Sequence, residues 1–192
     1  MVNWTALIPL KPPAARKSRL AGALDPPGRI GLTDALLDRV ATALRSSPRI
    51  VSILLLTAEP PRNWTGATML DKGRGLNAEL DAARAALGRA PLVVIHADLP
   101  LVDAEDIAQL LDAAEATGCA IAPDRHGRGT NALAVADSSP FRYRFGSDSL
   151  QAHLAQAGAD CALVWRDGLS LDCDTPEDLA LATARGFPSP KG

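Results

Sequence analysis

The amino-acid sequence predicts one α/β sandwich, in which helices cover a single sheet. Apolar segments of strand length alternate with helix-like segments through the whole sequence. One of them, Leu-Val-Val-Ile at residues 92–95, has the unbroken aliphatic pattern of a strand that is buried on both faces. The length of 192 residues suits one domain, which we place at residues 1–186, with residues 187–192 as a tail.

The individual elements are assigned from apolar periodicity and from proline, glycine and capping signals. Strands are predicted at residues 4–10, 50–56, 92–95, 119–123, 132–136, 161–165 and 169–174. Helices are predicted over residues 32–44, after the loop at 71–77, over about 104–117, from 149 through 153, and from 176 onward. Two of these helices begin after capping residues, Asp103 and Thr175. The helix after the loop at 71–77 is expected to bury Leu76, Leu80, Ala83 and Leu87.

Composition and charge exclude several classes of protein. Hydrophobic residues make up 47% and charged residues 22%, which is typical of a globular domain. The net charge of −2, without a sustained basic run, argues against nucleic acid as a partner. No apolar stretch approaches the roughly 20 residues that span a bilayer, and the N-terminus lacks the pattern of a signal peptide. The 3 cysteines are odd in number and widely spaced, which predicts core thiols in the cytoplasm rather than a disulfide or a zinc site.

Three carboxylates follow the ends of two predicted strands. Asp98 comes after the strand at 92–95, and Asp172 and Asp174 bracket one residue at the end of the last predicted strand. Side-chain alternation sends this pair to one face, and ligands of open α/β sheets bind at the carboxyl ends of the strands. Such oxygen donors suit Mg²⁺, which takes a few carboxylates together with substrate phosphate and water. The sequence therefore predicts a magnesium site, although one of these acids could instead cap a helix.

Cationic and glycine-bearing loops surround this predicted site. Residues 11–20 carry the cations Lys11, Arg16, Lys17 and Arg19, which indicate either an anion site or a solvated loop. Glycines lie in the loops at 71–77, 127–131 and 145–149, where backbone amides suit a phosphate group. The histidines, His96, His126 and His153, are scattered and form no recognisable nucleophile–base pair. These features favour metal-assisted phosphoryl or nucleotidyl transfer.

Six segments of the sequence form a recognisable series. They are Pro9-Leu-Lys-Pro with Lys17-Ser-Arg-Leu, Gly73-Arg-Gly-Leu-Asn, Ala97-Asp-Leu-Pro, Gly129-Thr-Asn-Ala-Leu, Phe145-Gly-Ser-Asp-Ser with His153, and Asp172-Cys-Asp-Thr-Pro-Glu-Asp-Leu. In this order they resemble the 2-phospho-L-lactate guanylyltransferase family of deazaflavin coenzyme F-420 biosynthesis. The resemblance covers nearly the whole sequence. It implies a nucleotidyltransferase fold of the GT-A type, with a mixed, mostly parallel sheet between helices.

The resemblance also implies a reaction and a set of site residues. GTP and a small phosphorylated three-carbon acid would give a guanosine diphosphate-linked acid and pyrophosphate. The acid would be 2-phospho-L-lactate, phosphoenolpyruvate or 3-phosphoglycerate, and the sequence does not choose among them. By resemblance, the metal ligands would be Asp98, Asp172 and Asp174, and the acceptor would bind Thr130, Gly146 and Ser149. Lys17 would approach the phosphates, and the expected nucleotide contacts are Lys11, Arg19, Gly75 and Asn77.

Two other functions remain open at this stage. A guanylyltransferase of molybdopterin-cofactor maturation has a related fold, but its first loop is rich in glycine, and residues 10–20 contain none. A nucleotide-binding domain without catalytic activity is the second possibility. The presence of all three candidate metal ligands argues against it.

Overall fold

A computed structural model describes residues 2–12, 17–138, 140–158 and 160–188. Within them, a 7-stranded sheet has the order β3-β2-β1-β4-β6-β5-β7. The strands are β1 (Trp4–Pro9), β2 (Ile50–Thr57), β3 (Ala67–Leu70), β4 (Leu92–Ile95), β5 (Cys119–Pro123), β6 (Thr130–Val135) and β7 (Ala162–Leu163). The helices are α1 (Pro26–Arg45), α2 (Leu76–Ala86), α3 (Ala104–Thr117), α4 (Ser149–Ala157), α5 (Asp167–Ser170) and α6 (Pro176–Ala184), and a short 3-10 helix spans Ser18–Leu20.

The direction of β6 determines which chain segments meet at one edge of the sheet. β1, β2, β3 and β4 are parallel to one another. β6 runs antiparallel to both of its neighbours, β4 and β5. The last residue of β4, Ile95, therefore lies opposite Ala132, near the first residues of β6. As a result, the ends of β1 and β4 and the beginning of β6 share one edge.

Helices cover both faces of the sheet, and each face has its own apolar core. Side-chain alternation along β1 sends Trp4, Ala6 and Ile8 to a core with α1 and α3. Leu7 faces the opposite core, which contains residues of α2 and α4. A third cluster contains Leu20, Leu32, Leu36, Leu171, Cys173, Ala182 and Phe187. The predicted tail begins at Phe187, but this residue is only 5% exposed, so the packed domain extends at least to it.

Capping residues and buried strands agree with the predictions. β4 and β5 have the predicted bounds, and α3 begins after Asp103 with a reciprocal capping box. α6 likewise begins after Thr175, whose hydroxyl accepts the N–H of Asp178. These signals are local, since a cap needs only residues within one turn of the helix. The described residues contain no helix that is long and apolar enough to cross a membrane.

Three predictions about the elements are wrong, and one strand was missed. Residues 169–174 are not a strand, because Asp167–Ser170 form α5 and the rest have no regular secondary structure. The predicted strand at 161–165 shortens to the two residues of β7. β3 was missed, since it is a short edge strand with mostly exposed side chains. Leu76, expected in the core, opens α2 and is 37% exposed.

The prediction of three free thiols is also wrong. Cys119 and Cys161 form a disulfide bond, and Cys173 is the free, buried cysteine. The pair is 42 residues apart in sequence, so spacing alone indicated no proximity. The two residues meet because β5 and β7 are paired strands of the sheet. The inference of a reducing compartment rested on free thiols and loses that support, and the cytoplasmic location stays a prediction.

Candidate active site

A cavity of about 480 Å³ opens at the edge where β1 and β4 end and β6 begins. It brings together most of the predicted site residues: Lys11, Lys17, Asp98, Thr130, Gly146, Ser149, Asp172 and Asp174. Among the described residues, those that line the cavity do not include Arg19, Gly75 or Asn77. Arg16, the remaining candidate cation, lies outside the described residues. The predicted metal ligands and acceptor contacts therefore share one cavity with Lys11 and Lys17, whereas most of the predicted nucleotide contacts do not line it.

The acidic wall of the cavity comes from two chain segments that are bonded to each other. Asp98 lies in the turn that follows β4. Asp172 and Asp174 lie between α5 and α6 in a segment without regular secondary structure, and the buried Cys173 separates them. The Cys173 N–H donates to the Asp98 carbonyl at 3.0 Å, which holds this segment beside the turn. Both carboxylates line the cavity, although the segment that carries them is not the predicted strand.

Lys17 binds two of the three acids. Its Nζ lies 2.9 Å from Asp98 Oδ2 and 3.1 Å from Asp174 Oδ1. The Lys17 side chain is only 7% exposed. Burial alone would lower the pKa of Lys17, but the charges of Asp98 and Asp174 outweigh burial and raise it. Lys17 is therefore a fixed cation inside the acidic wall, while Arg19 reaches Asp174 only at 3.7 Å from outside.

The acids retain the capacity to hold a second cation. Asp98 Oδ1 is buried and has no hydrogen-bond partner within the described part of the chain. Burial and the neighbouring charge of Asp98 raise the pKa of Asp172 to about 6. Burial is the larger cause of this shift, and the charges of Asp98 and Asp174 add to it, so a cation bound beside Asp172 would lower its pKa again. Among the described residues no three His, Cys, Asp or Glu side chains already converge as a metal cluster. The donor set fits Mg²⁺ chemically, and magnesium binding stays a prediction.

The opposite wall is built from the start of β6 and the segment that enters α4. Thr130 is the first residue of β6, and Ser149 is the first residue of α4. Gly146 has φ 134°, a conformation that residues with a Cβ rarely adopt. The segment is held by Asn77, whose Oδ1 accepts the Phe145 N–H at 2.7 Å and whose Nδ2 donates to the Phe145 carbonyl at 2.9 Å. We call this pair of bonds the Asn77 clamp.

In the glycine loop before α2, backbone N–H groups donate hydrogen bonds to a residue of α2 itself. Glu79 Oε1 accepts the N–H groups of Lys72 and Arg74 at 2.9 and 3.1 Å. The Arg74 guanidinium also binds the Glu79 carboxylate and holds its pKa down at about 2. These amides, and the Asn77 side chain, are therefore engaged within the protein. Direct nucleotide contacts by Gly75 and Asn77 stay predictions. Both polar groups of the Asn77 side chain already bind Phe145 in the clamp.

Sequence reasoning missed two features of the site. His153 is fully buried and lies 3.0 Å from the Thr130 hydroxyl, whereas from the sequence it was part of a family motif without an assigned role. A signal was available, because His153 lies four residues after Ser149 and so on the same face of α4. The Lys17 ion pairs had no such signal, since Lys17 and Asp174 are 157 residues apart in sequence.

The mixed, mostly parallel sheet between helices is a fold of the GT-A type, which nucleotidyltransferases share. The solved structure of 2-C-methyl-D-erythritol 4-phosphate cytidylyltransferase from Thermus thermophilus matches with a TM-score of 0.56 at 21% identity, over 96% of this chain and 98% of that one. At this identity the match concerns the fold. It agrees with the observed mixed, mostly parallel sheet between helices.

The chain belongs to the family described as guanylyl transferase CofC like, whose model matches residues 4–186. A phosphoenolpyruvate guanylyltransferase of Rubrobacter xylanophilus is 37% identical over 193 residues, 94% of this chain and 94% of the relative. A protein of the same name from Sphaerobacter thermophilus is 37% identical over 185 residues, 91% of this chain and 89% of the relative. The protein is therefore an enzyme of the guanylyltransferase class, which confirms the resemblance seen in the sequence.

Proposed function

We propose that this enzyme transfers the guanylyl group of GTP to phosphoenolpyruvate or a closely related phosphorylated three-carbon acid, as a step of coenzyme F-420 biosynthesis. The observation that carries the proposal is the single cavity that joins a cationic and acidic wall to a wall of hydroxyl and glycine groups. The relatives named phosphoenolpyruvate guanylyltransferase support both the nucleotide and the acceptor.

The reaction forms a bond between an acceptor phosphate oxygen and the α-phosphorus of GTP, and it breaks the bond from that phosphorus to the bridging oxygen. The electron pair of the broken bond leaves with pyrophosphate. The attacking oxygen is already anionic near neutral pH, so no general base is needed. The task of the protein is to hold two polyanions in line and to neutralise their charge.

Each wall has a part in this task. Lys11 and Lys17 line the cavity, and we assign them to the triphosphate. Thr130 and Ser149 supply hydroxyl donors for the phosphate and carboxylate of the acceptor, and Gly146 lets the backbone approach them. Asp98, Asp172 and Asp174 would hold Mg²⁺, which when bound supplies positive charge to the phosphate oxygens. Lys17 is positioned to contribute a further positive charge beside these acids.

A pyrophosphate-release assay tests the proposal by crossing the four ribonucleoside triphosphates with 2-phospho-L-lactate, phosphoenolpyruvate and 3-phosphoglycerate in the presence of Mg²⁺. We expect turnover with GTP and phosphoenolpyruvate, and a product mass equal to guanosine monophosphate joined to the acid. Rejection of ATP follows if polar groups that pair with guanine would be left unpaired by adenine. Binding of GTP without turnover under every combination would instead favour a nucleotide-binding domain without activity.

A further inference from the structure

His153 connects the backbone of the segment before α4 to a hydroxyl that lines the cavity. It is fully buried on α4 and is not itself among the cavity-lining residues. The Arg144 N–H donates to its Nε2 at 2.9 Å. Its Nδ1 lies 3.0 Å from Thr130 Oγ1. One imidazole ring therefore bridges a backbone amide and the side chain of Thr130.

These two contacts determine which ring nitrogen carries the proton. A backbone N–H can only donate, so Nε2 must offer its lone pair to Arg144. A neutral imidazole has one protonated nitrogen, so the proton lies on Nδ1. Nδ1–H then donates to Thr130 Oγ1, and the hydroxyl of Thr130 receives this bond as an acceptor. The hydroxyl hydrogen of Thr130 is consequently directed away from His153.

The surroundings of the ring maintain this arrangement. Burial lowers the pKa of His153 to about 4, so the ring is neutral near pH 7. Phe145 contacts the ring edge to face, with centroids 4.9 Å apart, and Phe141 lies 6.1 Å away on a tilted plane. Thr130 is 2% exposed, and His153 is its side-chain hydrogen-bond partner within the described residues. The hydroxyl hydrogen of Thr130 therefore remains available to a ligand in the cavity.

We propose that His153 is a positioning residue that reserves the Thr130 hydroxyl hydrogen for an anionic oxygen of the acceptor. With the opposite ring tautomer, Thr130 would have to donate to His153 and would present only lone pairs to the cavity. Lone pairs repel a phosphate or carboxylate, whereas a donor binds it. The role of His153 rests on the proposed function, because that function places the acceptor beside Thr130.

Two substitutions test the contacts of the two ring nitrogens of His153 separately. In His153→Gln, the amide reaches the position of Nε2 and can accept the Arg144 N–H, but Thr130 loses its donor. In His153→Asn, the shorter amide lies near the position of Nδ1 and can still donate to Thr130. We expect His153→Gln to raise the KM for the acceptor by about 3- to 10-fold, the range of one neutral hydrogen bond. We expect a smaller rise for His153→Asn and little change in the KM for GTP with either variant.

A double-mutant cycle with Thr130→Val tests whether His153 acts through Thr130. If it does, His153→Gln adds no further rise in acceptor KM once the hydroxyl is gone, so the two effects are not additive. A purely structural role would leave the effects additive and would change both KM values and kcat together. Additive effects would overturn the proposal, as would a larger rise in acceptor KM for His153→Asn than for His153→Gln.

Imidazole nitrogen NMR of the enzyme provides a test that does not depend on an activity measurement. Long-range ¹H–¹⁵N spectra near pH 7 should show one ring with Nδ1 protonated and Nε2 unprotonated, and His153→Gln should remove its signals. A ring protonated at Nε2 would overturn the proposal. If the NMR result holds but Thr130→Val leaves the acceptor KM unchanged, the acceptor site of the proposed function is wrong and the role of His153 falls with it. If Thr130→Val raises that KM but His153→Gln does not, only the positioning role is overturned.

Discussion

The Asn77 clamp offers the most direct test of how this site is held together. Asn77 is the second residue of α2, and both of its bonds go to the backbone of Phe145, 68 residues away in sequence. Replacing Asn77 with alanine removes both bonds without changing the backbone of α2. It also leaves the N–H and the carbonyl of the buried Phe145 without these partners.

The magnitude follows from the groups that lose a partner. Each neutral hydrogen bond is worth about 1 kcal/mol net, and an unsatisfied buried group costs about 1–3 kcal/mol. Alanine has a higher helix propensity than asparagine, which returns about 0.5 kcal/mol. The site is half-buried, so water can reach part of it. We therefore expect Asn77→Ala to lower the free energy of unfolding by about 2 kcal/mol and the Tm by about 4–8 °C.

Urea unfolding followed by tryptophan fluorescence measures this loss, provided that the slope with urea is unchanged. Asn63→Ala is the matched control, because Asn63 is an exposed asparagine outside helices and strands. We expect Asn63→Ala to change stability by less than about 0.5 kcal/mol. In activity assays, Asn77→Ala should raise the KM for the acceptor several-fold, because the segment that carries Gly146 and Ser149 is no longer held.

Two results would refute this reasoning. A loss of less than about 0.5 kcal/mol would mean that solvent replaces both bonds at no cost. A rise in the KM for GTP alone would mean that Asn77 contacts the nucleotide, as the sequence predicted, and that the clamp is secondary.

Three further predictions concern charge, pH and redox state. Asp98→Asn should lower the rate of pyrophosphate release by on the order of 100-fold with an unchanged circular dichroism spectrum, since it removes a charge from the predicted metal site; a wild-type rate would contradict this. The pKa of His153 is lowered from 6.5 to about 4, so the unfolded ring binds a proton that the folded ring refuses. The contribution of the neutral ring to the free energy of unfolding is therefore complete above pH 6.5. It is lost as pH falls toward 4, by about 2 kcal/mol between pH 7 and 5. In urea unfolding at these two pH values, His153→Gln should lose less stability at the lower pH than the unmodified enzyme does. An equal loss in the two proteins would exclude this contribution of His153. Reduction of the Cys119–Cys161 bond, which closes a loop of sequence separation 42, should lower stability by about 3–4 kcal/mol, whereas a variant with serine at both positions should not respond to reductant.

Local signals explain which parts of the fold were predictable. α3 was assigned correctly because Asp103 marks its start and Ile107, Leu110 and Leu111 repeat on one face. β4 was assigned from four consecutive buried aliphatic residues. By contrast, residues 169–174 look like a strand but lie against Asn131, whose Nδ2 binds the Leu169 and Ser170 carbonyls at 3.0 and 3.1 Å. A tertiary contact of this kind overrides propensity and leaves no trace in the neighbouring sequence.

The same distinction applies to the site. The position of Asp98 after a buried strand indicated where the site would lie, and the family resemblance added Thr130 and Ser149; all three line the cavity. The contacts that connect them were not predictable, because they join residues from distant segments. Lys17 was expected to face phosphates, and the structure shows that it also binds Asp98 and Asp174. Asn77 was expected at the nucleotide, and the structure shows it at Phe145.

Because Lys17 and Asp174 are far apart in sequence, the direction of synthesis limits when their ion pair can form. β5 and β6 are joined by a short loop, so this hairpin needs only local contacts and can form early. The ion pairs of Lys17 span 81 and 157 residues, and the second cannot form until the segment before α6 has been synthesised. On the ribosome, most of the sheet can therefore pair before the acidic wall exists. During synthesis the acidic wall therefore cannot be complete until the segment before α6 has been made, and this segment follows every strand of the described sheet.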